Sequence, residues 1–295
     1  MSLKKERSKS FTLIEILVVI VVIGILSAFI LIGTSSIISS ANITKGKAFS
    51  DSLRNSLLMN LFSEWKLDLG TTGNTVLASE VLDSWSDKNA NSIVSDPIVR
   101  EGSDCFDGKC LEFDANDYVH FSSYNVSFDE ISIEFWMKDL GSVNLWYDYL
   151  ELYIDGNTRI SFELSSVSPK RILAVNRING VNYDSSNMDI GSGFNHYAGV
   201  FSKSGNYRRS YNNGKLAQPI VGWPGGYTSS DIRIGNTASN VFIMDTVRIY
   251  NSALSTSQIE NNYYIGLNKL FKNKNICLKE FKIKIGELRN NLAKE

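Results

Sequence analysis

Proline is scarce in this chain of 295 residues, at four, and so are cysteine, at three, and histidine, at two. Cys105, Cys110 and Cys277 are too few for a disulfide framework, so an ordinary core must supply most of the stability. Two histidines leave no metal-ligand spacing of the His/Cys kind. Charge of one sign is missing too. The net charge is -1, which gives no basic field to draw in nucleic acid. The sequence has no P-loop, no dinucleotide fingerprint and no G-x-S-x-G elbow. With so little proline, turns fall to Gly, Asn, Ser and Asp, which suits many short strands.

What is present is unevenly placed. Residues 1–10 are basic, with Lys4, Lys5, Arg7 and Lys9 against Glu6. Residues 16–33 carry no charge, and at 1.5 Å per residue they reach roughly 27 Å, near the thickness of a bilayer core. The run is too long for a plain secretory signal and lacks an A-x-A-like site after it. A basic flank stays inside, so the rest of the chain is expected outside the cytoplasm. Phe49, Leu53, Leu57 and Leu61 recur every fourth residue and predict a helix from Phe11 to about Phe62.

Glu15 is the anomaly. A carboxylate in a membrane span costs on the order of 2.5–3.5 kcal/mol and needs a partner. Cleavage just before Phe11 would create an α-ammonium four residues from Glu15. The Glu15 of one subunit would then pair with the Phe11 amine of a neighbour and fix axial register.

The stretch Phe11-Thr12-Leu13-Ile14-Glu15 and the apolar run after it resemble the class III signal of type IV pilins and type II secretion pseudopilins. The resemblance implies a prepilin peptidase that cuts between Ser10 and Phe11 and methylates Phe11. It also implies filament assembly with other pilin subunits through Phe11 and Glu15, after storage in the inner membrane. Ser10 departs from the usual Gly, and the run lacks the family's frequent Pro. The alternative is a membrane-anchored, lectin-like protein that never polymerises.

From residue 63 to about 265, short strand-like runs follow one another: 65–69, 118–121, 131–138, 149–154, 159–165, 196–201 and 241–250. They predict a mainly β, antiparallel sandwich of jelly-roll type. Several blocks resemble the laminin G-like (concanavalin A-like) jelly roll. They are Gly108 to Asp114 with Asp117-Tyr118-Val119, Ile131 to Trp136, Phe194 to Val200, Tyr211 to Lys215, Ile234 to Asn236, Met244 to Asn251 and Ala253 to Ser255. The layout is therefore a leader at 1–10, a membrane and filament helix at 11–62, a laminin G-like head at 63–265 and a basic amphipathic helical tail at 266–295.

Asp107-Gly108 reads as a tight hairpin turn that sets Cys105 opposite Cys110 for a disulfide. Cys277 has no mate. Trp136 and His196 sit in strand patterns and read as core. Ser255 and Gln258 make a capping box for a short helix through Tyr263. Asp148, Glu151 and Asp155 read as surface acids, and no paired-carboxylate glycosidase motif appears, so no enzyme is expected. Trp146, Trp223 and Tyr227 are the ligand-binding candidates, for an extracellular glycan or protein, against the alternative that these aromatics pack within the head. Calcium of the laminin G type would draw on Asp104, Asp107 and Asp117, but no spacing supports it and no cofactor is assigned. Eight Lys or Arg against three Glu in the tail read as a solvated helix face.

Overall fold

The computed structural model describes residues 13–14, 17–23, 60–114, 116–122, 124–141, 147–165, 171–223, 225–235 and 240–292. The chain divides into two units, Met1–Ser52 and Leu53–Glu295. In the first, residues 13–14 and 17–23 are helical and their apolar side chains are exposed. Among the described residues no helix is long and apolar enough to cross a membrane. Apart from these pieces, the span expected over 11–62 lies outside the described residues up to Asn60.

The second unit is the head. Its strands are β1 (Leu61–Trp65), β2 (Ser92–Val94), β3 (Ile98–Glu101), β4 (Lys109–Phe113), β5 (Tyr118–Phe121), β6 (Val126–Phe128), β7 (Glu130–Asp139), β8 (Tyr147–Asp155) and β9 (Thr158–Leu164). They continue with β10 (Arg171–Ile178), β11 (Val181–Asp189), β12 (Asn195–Ser202), β13 (Tyr207–Asn212), β14 (Lys215–Val221), β15 (Tyr227–Ser229), β16 (Asp231–Gly235) and β17 (Phe242–Tyr250). Helices α1 (Thr256–Lys272) and α2 (Leu278–Leu292) close the chain. One sheet has eight strands in the order β14-β13-β12-β7-β17-β4-β3, with β1 also on β17. The other has seven, in the order β11-β10-β9-β8-β16-β5-β2.

The alternation in the sequence fixes which side chains meet between the sheets. Ile131, Ile133, Phe135 and Met137 of β7 join Ile160, Phe162 and Leu164 of β9 and Ile232 and Ile234 of β16 in one core. Phe135 meets Phe162 edge-on at 4.9 Å between ring centroids. Each fully buried side chain of this size contributes roughly 1.5–3 kcal/mol. Ser132, Glu134 and Trp136, which alternate with them along β7, point to the other side of the same sheet. They too are buried, because the C-terminal helices lie over them.

Helix α1 begins at the expected box: Ser255 Oγ accepts the Gln258 N–H and Gln258 Oε1 accepts the Ser255 N–H. It does not stop near Tyr263. Ile259, Asn262, Tyr263, Gly266, Leu267 and Leu270 continue one buried face to Lys272. Gly266 is needed there, since a Cβ would stand 2.0 Å from the Trp136 ring.

Three local expectations are corrected. β1 starts at Leu61, inside the range expected to be helical, and ends at Trp65, where a strand was expected to begin. Leu67, with φ of 57°, turns the chain away from that strand. Cys105 and Cys110 do form a disulfide, with Cα atoms 5.4 Å apart, but not across a two-residue hairpin. The partner of Cys110 in the β3–β4 ladder is Arg100, and residues 102–108 form a longer loop that the disulfide closes.

Candidate functional site

The two sheets carry polar groups on their outer faces in opposite ways. On the eight-stranded sheet the centre is Glu134 of β7, 2% exposed. Its carboxylate accepts from Arg248 Nη1 at 3.2 Å, the Tyr250 hydroxyl at 2.8 Å and Asn262 Nδ2 at 3.0 Å, and lies 3.2 Å from His196 Nε2. Arg248 Nε also donates to Glu64 at 2.7 Å. Burial alone would raise the Glu134 pKa, but His196, Arg248 and the Asn262 amide outweigh it and hold the group down at about 2. This network ties β1, β7, β12 and β17 to α1. His196 and Trp136 are core, as expected, with the Trp136 ring stacked on Phe106 at 4.2 Å.

A second buried acid, Asp245, depends on a bulge in β17, where Thr246 has φ of 44°. Its carboxylate accepts the N–H groups of Phe106 and Asp107 and so holds the disulfide loop. Burial is the main reason its pKa rises to about 8. Lys269 of α1 pairs with Asp107, and Asn273 and Asn275 donate to the Phe106 and Cys105 carbonyls. The disulfide loop is thus the seat of the C-terminal helices.

The outer face of the seven-stranded sheet concentrates charge around Arg159 of β9. Arg159 meets Asp148 at 3.5 Å, Glu151 at 3.2 Å and Glu163 at 3.8 Å. Tyr153 donates to Glu151 at 2.7 Å and accepts from Arg233 at 3.2 Å. Burial, then the neighbouring Glu151 and Glu163, push the Asp148 pKa up to about 9. The reading of these acids as surface residues fails for two of them. The Asp148 and Glu151 side chains keep only 21% and 6% of their exposure, while Asp155 caps a turn at Asn157. Glu163, Ser161 and Arg159 were missed, because strand pairing, not sequence proximity, brings β9 beside β8.

The other candidates separate clearly. Ser10, Phe11, Glu15 and Trp146 lie outside the described residues. Trp223 is not a surface aromatic: it is 1% exposed, it packs on Phe128 and Phe201, and its indole N–H donates to the Asp129 carbonyl. Tyr227 is half-buried, with its ring 5.1 Å from that of Trp223. Asp104, Asp107 and Asp117 do not converge. Asp104 and Asp107 pair with Lys138 and Lys269, and Asp117 accepts the N–H groups of Asp96 and Asp114. Among the described residues no acidic or His/Cys group is arranged to hold a metal. Cys277 is free and exposed at the start of α2.

Comparison with known proteins agrees with this architecture. A family model described as the concanavalin A-like lectin/glucanases superfamily matches residues 113–260, and one described as the prokaryotic N-terminal methylation motif matches residues 6–31. Among curated proteins none matches the chain. Domain 4 of AbnA, a GH43 extracellular arabinanase from Geobacillus stearothermophilus solved with arabinotriose, superposes with a TM-score of 0.55 at 15% identity, over 68% of this chain and 97% of that one. A botulinum neurotoxin type C structure, whose cell entry depends on two ganglioside molecules, gives 0.58 at 14% identity, over 72% of this chain and 53% of that one. The binding domain of botulinum neurotoxin DC, solved with rat synaptotagmin II, gives 0.56 at 14% identity, over 71% and 52%. Identities this low speak for the fold alone. One match is a pilin-type motif and the other a fold shared by lectins and glucanases, and the carboxylates around Arg159 are tied to it. With a jelly-roll head matched over half its length and a methylation motif ahead of it, the chain belongs to the concanavalin A-like lectin/glucanases superfamily and carries a pilin-type N-terminus.

Proposed function

We propose that this chain is a structural subunit of a type IV pilus or pseudopilus that displays a glycan-binding head. Prepilin peptidase cuts between Ser10 and Phe11. The helix over 11–62 is first stored in the inner membrane and then drawn into the filament with other subunits. Glu15 pairs with the Phe11 amine of a neighbour during that step. The head ends up at the cell surface, where it binds an extracellular saccharide.

The observation that carries this reading is the order of the two matches on one chain, the methylation motif at 6–31 and the lectin-like fold at 113–260. Support for a saccharide comes from the arabinotriose and ganglioside relatives of that fold. The Cys105–Cys110 disulfide fits a head that matures outside the cytoplasm.

The test is intact mass and N-terminal sequencing of the protein from its own host, with and without Glu15→Ala. A mature chain that starts at methylated Phe11, with filaments lost in the variant, is the expected result. A chain that still starts at Met1 sinks the filament reading and leaves a membrane-anchored lectin.

A further inference from the structure

Three of the five tryptophans, Trp65, Trp136 and Trp223, are buried, and Trp146 is not described. Trp85 is different: it stands 47% exposed on the loop between β1 and β2. An exposed tryptophan on a mobile tip would mean little. This tip is fixed. Its stem closes where Val81 accepts the Ala90 N–H and Asn89 Oδ1 accepts the Asp83 N–H at 2.8 Å. Asp83, 7% exposed, then spends Oδ1 on the N–H groups of Glu64, Trp85 and Ser86, at 2.9–3.0 Å, and Oδ2 on the Ser86 hydroxyl. Trp65 Nε1 holds the returning limb through the Lys88 carbonyl. A buried carboxylate and a core tryptophan therefore anchor a loop whose largest apolar group faces water.

That returning limb lines a cavity of about 130 Å³, walled by Asp87, Lys88, Asn89, Asn91 and Ser122 over a floor of Phe121 and Tyr124. Asp87 and Trp85 are two residues apart, so their Cα atoms lie within about 7 Å. The amide oxygens of Asn89 and Asn91 are used inside the protein, on the Asp83 and Ser122 N–H groups. Their amide nitrogens, two donors each, have no partner among the described residues. Asp87 is 92% exposed and makes only a loose 4.0 Å pair with Lys88. The loop thus carries an exposed tryptophan two residues along the chain from a cavity that offers amide donors, an ammonium and a carboxylate acceptor.

We infer that Trp85 and the Asp87–Asn91 cavity form a saccharide-binding site of the head. This rests on the reading of the head as a glycan binder. The complementary ligand has C–H groups on one ring face and hydroxyls, each both donor and acceptor, around its edge. Acid and base lie together in the cavity, which fits an uncharged sugar better than an anionic one. Leu77 and Leu82 are exposed on the same loop, and a protein that used them would bury apolar surface without needing the polar groups of the cavity.

The experiment uses detergent-solubilised full chain on an oligosaccharide array that includes arabinotriose, cellotriose and chitotriose, followed by titration of each hit with tryptophan emission as readout. Trp85→Ala and Asp87→Ala alter exposed side chains, and circular dichroism checks that both fold. The expected result is a hit that changes tryptophan emission, weakens tenfold or more in Trp85→Ala, weakens less in Asp87→Ala and is partly kept in Trp85→Phe. A hit that binds both alanine variants within twofold of the parent overturns the site and leaves the glycan reading intact. No hit for the parent overturns both. A Trp85→Ala chain that keeps its sugar but loses filament assembly assigns the loop to a subunit contact and also overturns the site.

Discussion

Glu134 and Asp148 are carboxylates on the outer faces of two sheets in one sandwich, yet their pKa values move in opposite directions, to about 2 and about 9. Burial works upward on both. The difference lies in the company. Glu134 is met by Arg248, His196, Tyr250 and Asn262, all drawn toward it by the strands and the helix that cover it. Asp148 shares the single Arg159 with Glu151 and Glu163. One face has been assembled around its charge and sealed. On the other, three acids crowd one guanidinium, and burial with that crowding raises the Asp148 pKa.

The sharpest way to break this contrast is Glu134→Ala. It leaves the half-buried Arg248 with only Glu64 and leaves Asn262 only the Tyr250 hydroxyl at 3.4 Å, so the polar anchor of α1 weakens. Removal of one partner from a buried pair costs about 3–5 kcal/mol, and the urea midpoint should fall accordingly. The pH dependence separates the faces as well. A depressed carboxylate contributes stability above its unfolded pKa, near 4.3, and loses it as pH falls through the folded value of about 2. The wild-type midpoint should therefore drop across that acid window, and the variant should lack this component.

Gly266→Val tests the apolar half of the same seal. The new side chain has no space against Trp136, so α1 must lift. The expected cost is about 1–3 kcal/mol, with Trp136 emission shifted to the red. Removal of the disulfide by Cys105→Ser with Cys110→Ser should cost about 2 kcal/mol, the loop-closure value for so short a ring. Because this loop seats α1 through Lys269, Asn273 and Asn275, hydrogen exchange should quicken in the helix end more than in β7.

Much of the sandwich was legible in the sequence because its strands alternate. β5, β7, β8, β9, β12 and β17 fall on the expected runs. β10 and β11 were not foreseen, although Asn179-Gly180 between them is a turn dipeptide and both residues have positive φ. The disulfide pair was readable, but its hairpin was not, since Asp245 draws residues 106–107 into a loop from far along the chain. Trp223 followed a Gly and preceded a Pro, and so read as a loop aromatic; β6 and β15 pack around it and make it core. The charged face was hidden for a related reason. Glu163 lies twelve residues beyond Glu151 in sequence, and only the β8–β9 register places both on Arg159. Local pattern reports which face a residue takes, and long-range pairing decides whom it meets there.

The smallest effect, and the one of opposite sign, comes from Asp148→Asn. The folded pKa of Asp148 lies far above the unfolded value of about 3.9, so the native state binds a proton that the unfolded chain releases. Wild-type stability must therefore decline as pH rises from about 4 toward 9. Asparagine keeps the shape and leaves Arg159 its contacts with Glu151 and Glu163. It should stabilise the head at pH 7 by about 1 kcal/mol, a Tm gain of about 2–4 °C, and should change nothing at pH 3. Thermal melts of both chains at the two pH values decide it. Equal gains at pH 3 and pH 7 would mean that the substitution improves packing. No gain at either would mean that Asp148 is already matched by its surroundings, and the contrast with Glu134 would then lose its electrostatic basis.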